Sequence, residues 1–171
     1  MKQPEFQYVY ITCGLPGAGK TTWAQNMIKT AKNTFSVVGD DLRAMLHGGT
    51  YQYSDRIEET VRKAVVSMAT NALIYKNDVI IDECILSLTK SDRRYLVSKI
   101  RHDIEGRAAT ELRFILVHFP PAQSQLDRRK ADPRGFPVDR WERTWRELEA
   151  QYQSPTDTEP FYKIIQPIEV T

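Results

Sequence analysis

The 171-residue chain predicts an α/β fold in which a mostly parallel sheet carries helices on both faces. Three observations carry that expectation. Apolar runs of strand length recur along the chain, and segments of helical periodicity lie between them. The mixture of 41% hydrophobic and 27% charged residues is that of a globular domain and excludes a disordered or fibrous chain. No apolar run approaches the roughly 20 residues that a membrane span requires. A chain of this length can bury roughly two thirds of its unfolded surface without a disulfide or metal staple. Residues 1–171 are therefore read as one domain, with strands and helices alternating as they do in parallel sheets.

The elements follow in order. Tyr8-Val9-Tyr10-Ile11-Thr12-Cys13 is β-branched and aromatic, the composition of a strand. A glycine-rich turn follows, then a helix from about Lys20 to Lys32. Phe35-Ser36-Val37-Val38 forms a second strand that stops at Gly39, and a short helix beginning near Asp40 ends at Gly48-Gly49. Ile57, Val61, Ala64, Val65, Met68, Ala72 and Tyr75 recur at steps of three and four, which predicts a long helix from Ser54, its candidate N-cap, to about Tyr75. Asp78-Val79-Ile80-Ile81-Asp82 reads as a buried strand. A helix over about Ser91–Glu105, with its cap near Ser91, leads to the strand Leu112–His118. Pro120-Pro121 close that strand. A helix ending in Arg128-Arg129-Lys130, a loop holding Pro133, Gly135 and Pro137, a helix over Val138–Tyr152 and a strand at Tyr162–Ile165 complete the chain. In such sheets ligands bind at the carboxyl ends of the strands.

The segment Gly14-Leu15-Pro16-Gly17-Ala18-Gly19-Lys20-Thr21 fits G-x-x-x-x-G-K-[ST] between a strand and a helix. Gly14, Gly17 and Gly19 allow backbone angles and close approaches that a Cβ would block. The N–H groups of the loop, with the positive end of the following helix, form a nest for phosphate oxygens. Lys20 brings a mobile charge to the outer phosphates, and the hydroxyl of Thr21 suits Mg²⁺ bridging them. ATP, or another nucleoside triphosphate, and Mg²⁺ are the implied ligands. Thr89-Lys90-Ser91-Asp92 mimics a guanine-specificity tetrad but lies too early in the chain for that role. Val79-Ile80-Ile81-Asp82-Glu83 matches the apolar strand ending in Asp-Glu of motor-type ATPases. In that reading Asp82 supports the metal, Glu83 positions water, and the protein is a nucleotide-binding regulatory ATPase.

On the acceptor side, Gly39-Asp40-Asp41-Leu42-Arg43 opens a helix after the second strand, which places Asp40 and Arg43 on one helix face. A carboxylate beside an arginine suits proton removal from a hydroxyl together with a clamp on a neighbouring anion. The second carboxylate is then free to cap the helix.

These segments resemble the kinase module of the bacteriophage-type 5′-hydroxyl polynucleotide kinase family. Gly14 to Ala24 is similar to its opening Gly-x-Pro-Gly-[Ser/Ala]-Gly-Lys-[Ser/Thr]-Thr-x-Ala, and Asp40-Asp41-Leu42-Arg43 to its Asp-Asp-x-Arg. Arg129 to Asp139 resembles its lid, and the likeness runs from about Tyr8 to Tyr152. The resemblance implies a P-loop NTPase fold of the kinase type, with a five-stranded sheet and a helical lid at about 122–137. It implies ATP, bound by Gly14, Gly17, Ala18, Gly19, Lys20, Thr21, Thr22 and Arg129, and Mg²⁺ at Thr21 and Asp82. It further implies transfer of the γ-phosphate to a nucleic-acid 5′-hydroxyl, with Lys20, Asp40, Arg43 and Arg134 catalytic. Asp40 would be the general base and Arg43 the clamp on the adjacent phosphate. Arg128, Arg129 and Lys130 all remain candidates for the lid partner of Arg134. Glu83-Cys84-Ile85 departs from the Thr-Asn pair that the family often carries after its third strand. A sugar, nucleoside or antibiotic hydroxyl is the alternative acceptor.

The remaining signals read as structural. The charge sum of +2 neither proves nor excludes a nucleic-acid partner. Cys13 and Cys84 form no disulfide framework, and Met1–Glu5 is followed by no secretory apolar region, so a reducing cytoplasm without membrane attachment is expected. His47, His102 and His118 lack metal-ligand spacing. Trp141 and Trp145 lie one turn apart, as packing residues do. The basic residues between Leu88 and Arg107, Arg93 among them, read as a solvated helix face.

Overall fold

Strand burial sets the architecture of this protein. In the computed structural model, which describes residues 6–107 and 110–167, five strands form one parallel sheet. They are β1 (Phe6–Cys13), β2 (Thr34–Val38), β3 (Asp78–Asp82), β4 (Glu111–His118) and β5 (Lys163–Ile165), in the spatial order β2-β3-β1-β4-β5. The helices between them are α1 (Lys20–Thr30), α2 (Gly39–Leu46), α3 (Asp55–Ile74), α4 (Lys90–Ile104), α5 (Gln123–Ala131) and α6 (Val138–Gln151). Residues 1–5, on which the leader expectation rests, lie outside the described residues. Among the described residues no helix is long and apolar enough to cross a membrane.

The alternation along β1 assigns the two faces. Val9, Ile11 and Cys13 pack with Val37, Val79, Ile81, Phe114 and Leu116 against the apolar stripes of α3 and α4. The intervening residues face the other way, where Tyr10 meets Trp23 of α1. A second cluster, Leu15, Leu88, Leu126 and Trp145, joins the glycine loop to α5 and α6. Trp145 donates its indole N–H to the Pro16 carbonyl at 3.1 Å, so this tryptophan is a packing residue, as its spacing predicts.

The strand register matters for function. Val38 pairs with Asp82 and Cys13 with His118, which brings the carboxyl ends of β1, β2, β3 and β4 to one edge. The glycine loop, α2, the segment after Asp82 and the segment after His118 all leave from that edge.

Two expectations need correction. The cap of α4 is Thr89 rather than Ser91: Thr89 Oγ1 accepts from Asp92 N–H at 3.1 Å, and Asp92 Oδ2 accepts from Thr89 N–H at 3.0 Å. Ser54 occupies the cap position of α3 without a side-chain cap hydrogen bond. Arg93, read as part of a solvated basic face, is fully buried. Its guanidinium forks onto Glu159, with Nε–Oε2 at 2.6 Å and Nη2–Oε1 at 2.9 Å, and also donates to the Ser87 carbonyl.

This buried pair ties the segment before β5 to α4. Burial opposes ionisation of Glu159, but the bonds from Arg93 and from Thr156 N–H outweigh it and hold the carboxyl below its ordinary value. The pair's contribution is therefore complete above the unfolded carboxylate value of 4.5 and is lost as pH falls through the lower folded value. Glu159→Gln strands a charged guanidinium in the core and should destabilise the protein by about 3–5 kcal/mol in urea denaturation. A loss below about 1 kcal/mol would show that the pair is not a structural tie.

Candidate functional site

A cleft of about 1270 Å³ opens at the carboxyl edge of the sheet. Gly17, Ala18, Gly19, Lys20, Thr21 and Thr22 line one end. Gly14 lies beneath the loop against Phe119 and does not line the cleft. Gly17 has φ +86°, and a Cβ there would stand 2.1 Å from the Gln125 carbonyl oxygen of α5. A side chain is excluded on both counts, and the contact joins the loop to the lid helix. Lys20 is buried, and its ammonium donates to the Leu15 carbonyl at 3.0 Å, bridging the loop.

Thr21 and Asp82 meet, as the sequence anticipates. Thr21 Oγ1 donates to Asp82 Oδ2 at 2.6 Å, while Asp82 Oδ1 accepts from Thr12 Oγ1 at 2.9 Å. A hydroxyl against a buried carboxylate beside a phosphate nest fits Mg²⁺, which keeps several waters and few protein ligands. Thr21 and Asp82 would hold the ion, and the loop N–H groups with Lys20 would hold the phosphates.

Asp40 and Arg43 also meet, at 3.1 Å between Oδ1 and Nη1. The helix begins one residue earlier than expected, at Gly39, and neither Asp40 nor Asp41 caps it. Both lie in its first turn, where a negative charge is favoured by the helix dipole. The Asp40 side chain is 41% exposed and lines the cleft.

Arg43 departs from its expected role as an open clamp. It is only 3% exposed, and its guanidinium is engaged at all five N–H donors. Nε and Nη2 grip Glu58 at 2.9 and 2.6 Å, Nη1 and Nη2 grip Glu83 at 2.8 and 3.3 Å, and Nη1 also reaches Asp40. Burial disfavours the charged guanidinium, but the bonds and charges of Glu58 and Glu83 outweigh it, so Arg43 holds its proton more firmly than usual. Burial raises the Glu83 carboxyl, against the opposing pull of Arg43. Glu83 is thus turned inward to the arginine, which weighs against the water-positioning role that the Asp-Glu strand ending suggested. Glu58 escaped the sequence reading altogether, because its position on α3 has no local link to Arg43.

The lid narrows the choice among its basic residues to Arg128 and Arg129. Lys130 turns away to Glu142 of α6 at 2.9 Å, whereas Arg128, Arg129 and Arg134 line the cleft. Arg129 lies over Trp141 at 4.9 Å, and its buried Nε has no hydrogen-bond partner among the described residues. Burial, and then the nearby charge of Arg134, lower its affinity for its proton, while Asp40 opposes them. Arg134 takes a left-handed backbone, φ +50°, with a loose contact to Asp132 at 3.7 Å. Trp141 packs as expected, its N–H on the Pro133 carbonyl at 2.7 Å, yet it also walls the cleft with Tyr51 and Phe136. His118 lines the cleft and is held by the Tyr152 hydroxyl.

Gly17→Ala should weaken MgATP binding by about tenfold or more, since left-handed backbone strain of about 1–2 kcal/mol adds to the collision with α5. Isothermal titration would read the change. An unaltered dissociation constant would show that the loop does not need its observed conformation.

Comparisons with known proteins agree with this geometry at the level of fold. The chain superposes on a fungal RNA kinase with a TM-score of 0.72 at 12% identity, covering 96% of this chain and 76% of that chain. It matches a chain of the Pnkp1/Rnl/Hen1 RNA repair complex with a TM-score of 0.60 at 25% identity, covering 87% of this chain but only 46% of that chain. A gluconokinase from Sinorhizobium meliloti 1021 gives a TM-score of 0.53 at 16% identity, covering 96% and 83%. No curated protein sequence matches the chain. The five-stranded parallel sheet with its glycine loop is the P-loop kinase fold. Residues 9–155 match the family model described as an AAA domain, AAA_33, and the chain belongs to that family.

Proposed function

We propose that the protein is an ATP- and Mg²⁺-dependent kinase that transfers the γ-phosphate to a nucleic-acid 5′-hydroxyl. One observation carries this reading. Of the carboxylates gathered around Arg43, Asp40 alone stays open to the cleft: Glu58 and Glu83 have side chains 7% and 2% exposed, against 41% for Asp40. Oδ1 of Asp40 is anchored on Arg43, and Oδ2 has no hydrogen bond among the described residues. That is the geometry of a positioned base.

In the reaction the acceptor hydroxyl donates to Asp40 Oδ2 while its oxygen attacks the γ-phosphorus. The bond from that phosphorus to the β,γ-bridging oxygen breaks, ADP leaves, and the proton ends on Asp40. Bound Mg²⁺ would neutralise charge on the β- and γ-oxygens. Lys20 and the loop N–H groups hold the same phosphates from the other side. Arg129 and Arg134, both on the cleft, would meet the charge that spreads over the transferring group. The unpaired Nε of Arg129 is a donor awaiting an acceptor. The acidic corner suits an end that bears a neutral hydroxyl and disfavours one that is already phosphorylated.

The likeness to the RNA kinase and to the RNA repair complex supports a nucleic-acid acceptor. A second reading, a neutral sugar-type hydroxyl, is favoured by the engagement of every Arg43 donor. Labelled ATP offered with 5′-hydroxyl oligonucleotides and, separately, with sugars and nucleosides decides between them. The first reading predicts that label appears on the oligonucleotide ends. Label on a sugar alone would refute it. Asp40→Asn should lower kcat by about 10²–10⁴-fold with ATP binding retained. Undiminished turnover would remove Asp40 as the base.

A further inference from the structure

Resting on the nucleic-acid reading, we infer that Arg62 and Arg140, rather than Arg43, grip the phosphate one nucleotide in from the reacting hydroxyl. Arg43 has no donor left to offer, because Glu58 and Glu83 occupy both edges of its guanidinium. The corner around it is also acidic, carrying three carboxylates against one guanidinium, and a phosphate there meets net repulsion. The acceptor phosphate must therefore lie outside that corner.

Two arginines flank the way in. Arg62 stands one turn beyond Glu58 on α3, on the same helix face, and lines the cleft. Arg140 stands in the first turn of α6 across the cleft, its guanidinium 4.7 Å above the Phe136 ring. Phe136 in turn packs edge-on against Tyr51, the aromatic residue whose hydroxyl is kept protonated by burial and by the charge of Asp40. Both arginines are exposed, and among the described residues neither has a carboxylate within salt-bridge distance or a hydrogen-bond partner. Unpartnered guanidiniums on either side of an aromatic wall are the elements of a single-strand track: a charged fork for a phosphate and flat rings beside the bases. The hydroxyl end then enters the acidic corner while the first internucleotide phosphate stays at the basic rim.

The test compares short 5′-hydroxyl oligonucleotides whose first linkage is either a phosphodiester or a neutral methylphosphonate. The wild-type protein should prefer the phosphodiester by about tenfold or more in kcat/KM, the worth of one or two charge-assisted hydrogen bonds. In Arg62→Ala/Arg140→Ala that preference should fall towards unity. Arg140→Lys should keep part of it, and the salt dependence of kcat/KM should flatten by about 0.7 of a log unit per arginine removed. Exposure of both side chains makes these variants tolerable to the fold, and unchanged thermal unfolding would verify that. A double variant that keeps the full wild-type preference would overturn the assignment. A wild-type protein indifferent to the linkage would overturn it as well. Failure to phosphorylate any 5′-hydroxyl end would bring down the nucleic-acid reading and this inference with it, an outcome distinct from the other two.

Discussion

The buried guanidinium of Arg43 is the interaction on which the rest of the acceptor side depends. Removing a charge from water is tolerable only when its hydrogen bonds are fully satisfied, and here carboxylates from three parts of the chain satisfy them. Asp40 comes from α2, Glu58 from α3 and Glu83 from the residue that follows β3. The result is a tie between the amino end of α2, the first turn of a long helix and the carboxyl edge of the sheet. Gly39 belongs to the same tie, because a Cβ there would stand 1.5 Å from Glu83 Oε2. Arg43 is best understood as the group that fixes Asp40 in place.

Around that tie the cleft separates charge. Lys20 and the lid arginines gather positive charge where the phosphates of a nucleotide would lie, and carboxylates gather where the hydroxyl would enter. Thr21 and Asp82 stand between the two regions, linked through a short hydrogen bond and backed by Thr12. The lid is not an isolated flap. Gly17 abuts the α5 backbone, Leu126 joins the core beneath the loop, and Trp145 anchors α6 to Pro16. A shift of α5 would therefore be felt at the phosphate nest.

Much of the fold was legible because its signals are local. The glycine loop is a contiguous motif bounded by a strand and a helix, and all five strands fall where apolar runs predict them, within a residue or two. The Asp40–Arg43 pair was readable from its three-residue spacing on a helix. Thr89 was readable too, since Thr-x-x-Asp is a capping-box signature, and choosing Ser91 overlooked it. Glu58 and Glu159 were illegible for a different reason. Their partners lie 15 and 66 residues away, and nothing in local sequence distinguishes them from the exposed acids around them. The lid register was likewise open, because three consecutive basic residues differ only in which way α5 turns them. That is a tertiary fact: Glu142 draws Lys130 aside and leaves Arg128 and Arg129 on the cleft.

A crystal structure with magnesium, a non-hydrolysable ATP analogue and a 5′-hydroxyl dinucleotide would test the central claim most directly. The account predicts the terminal hydroxyl in hydrogen-bond reach of Asp40 Oδ2 and about 3–3.5 Å from the γ-phosphorus, opposite the β,γ-bridging oxygen. A hydroxyl bound away from Asp40, or a γ-phosphate pointing out of the acidic corner, would contradict it.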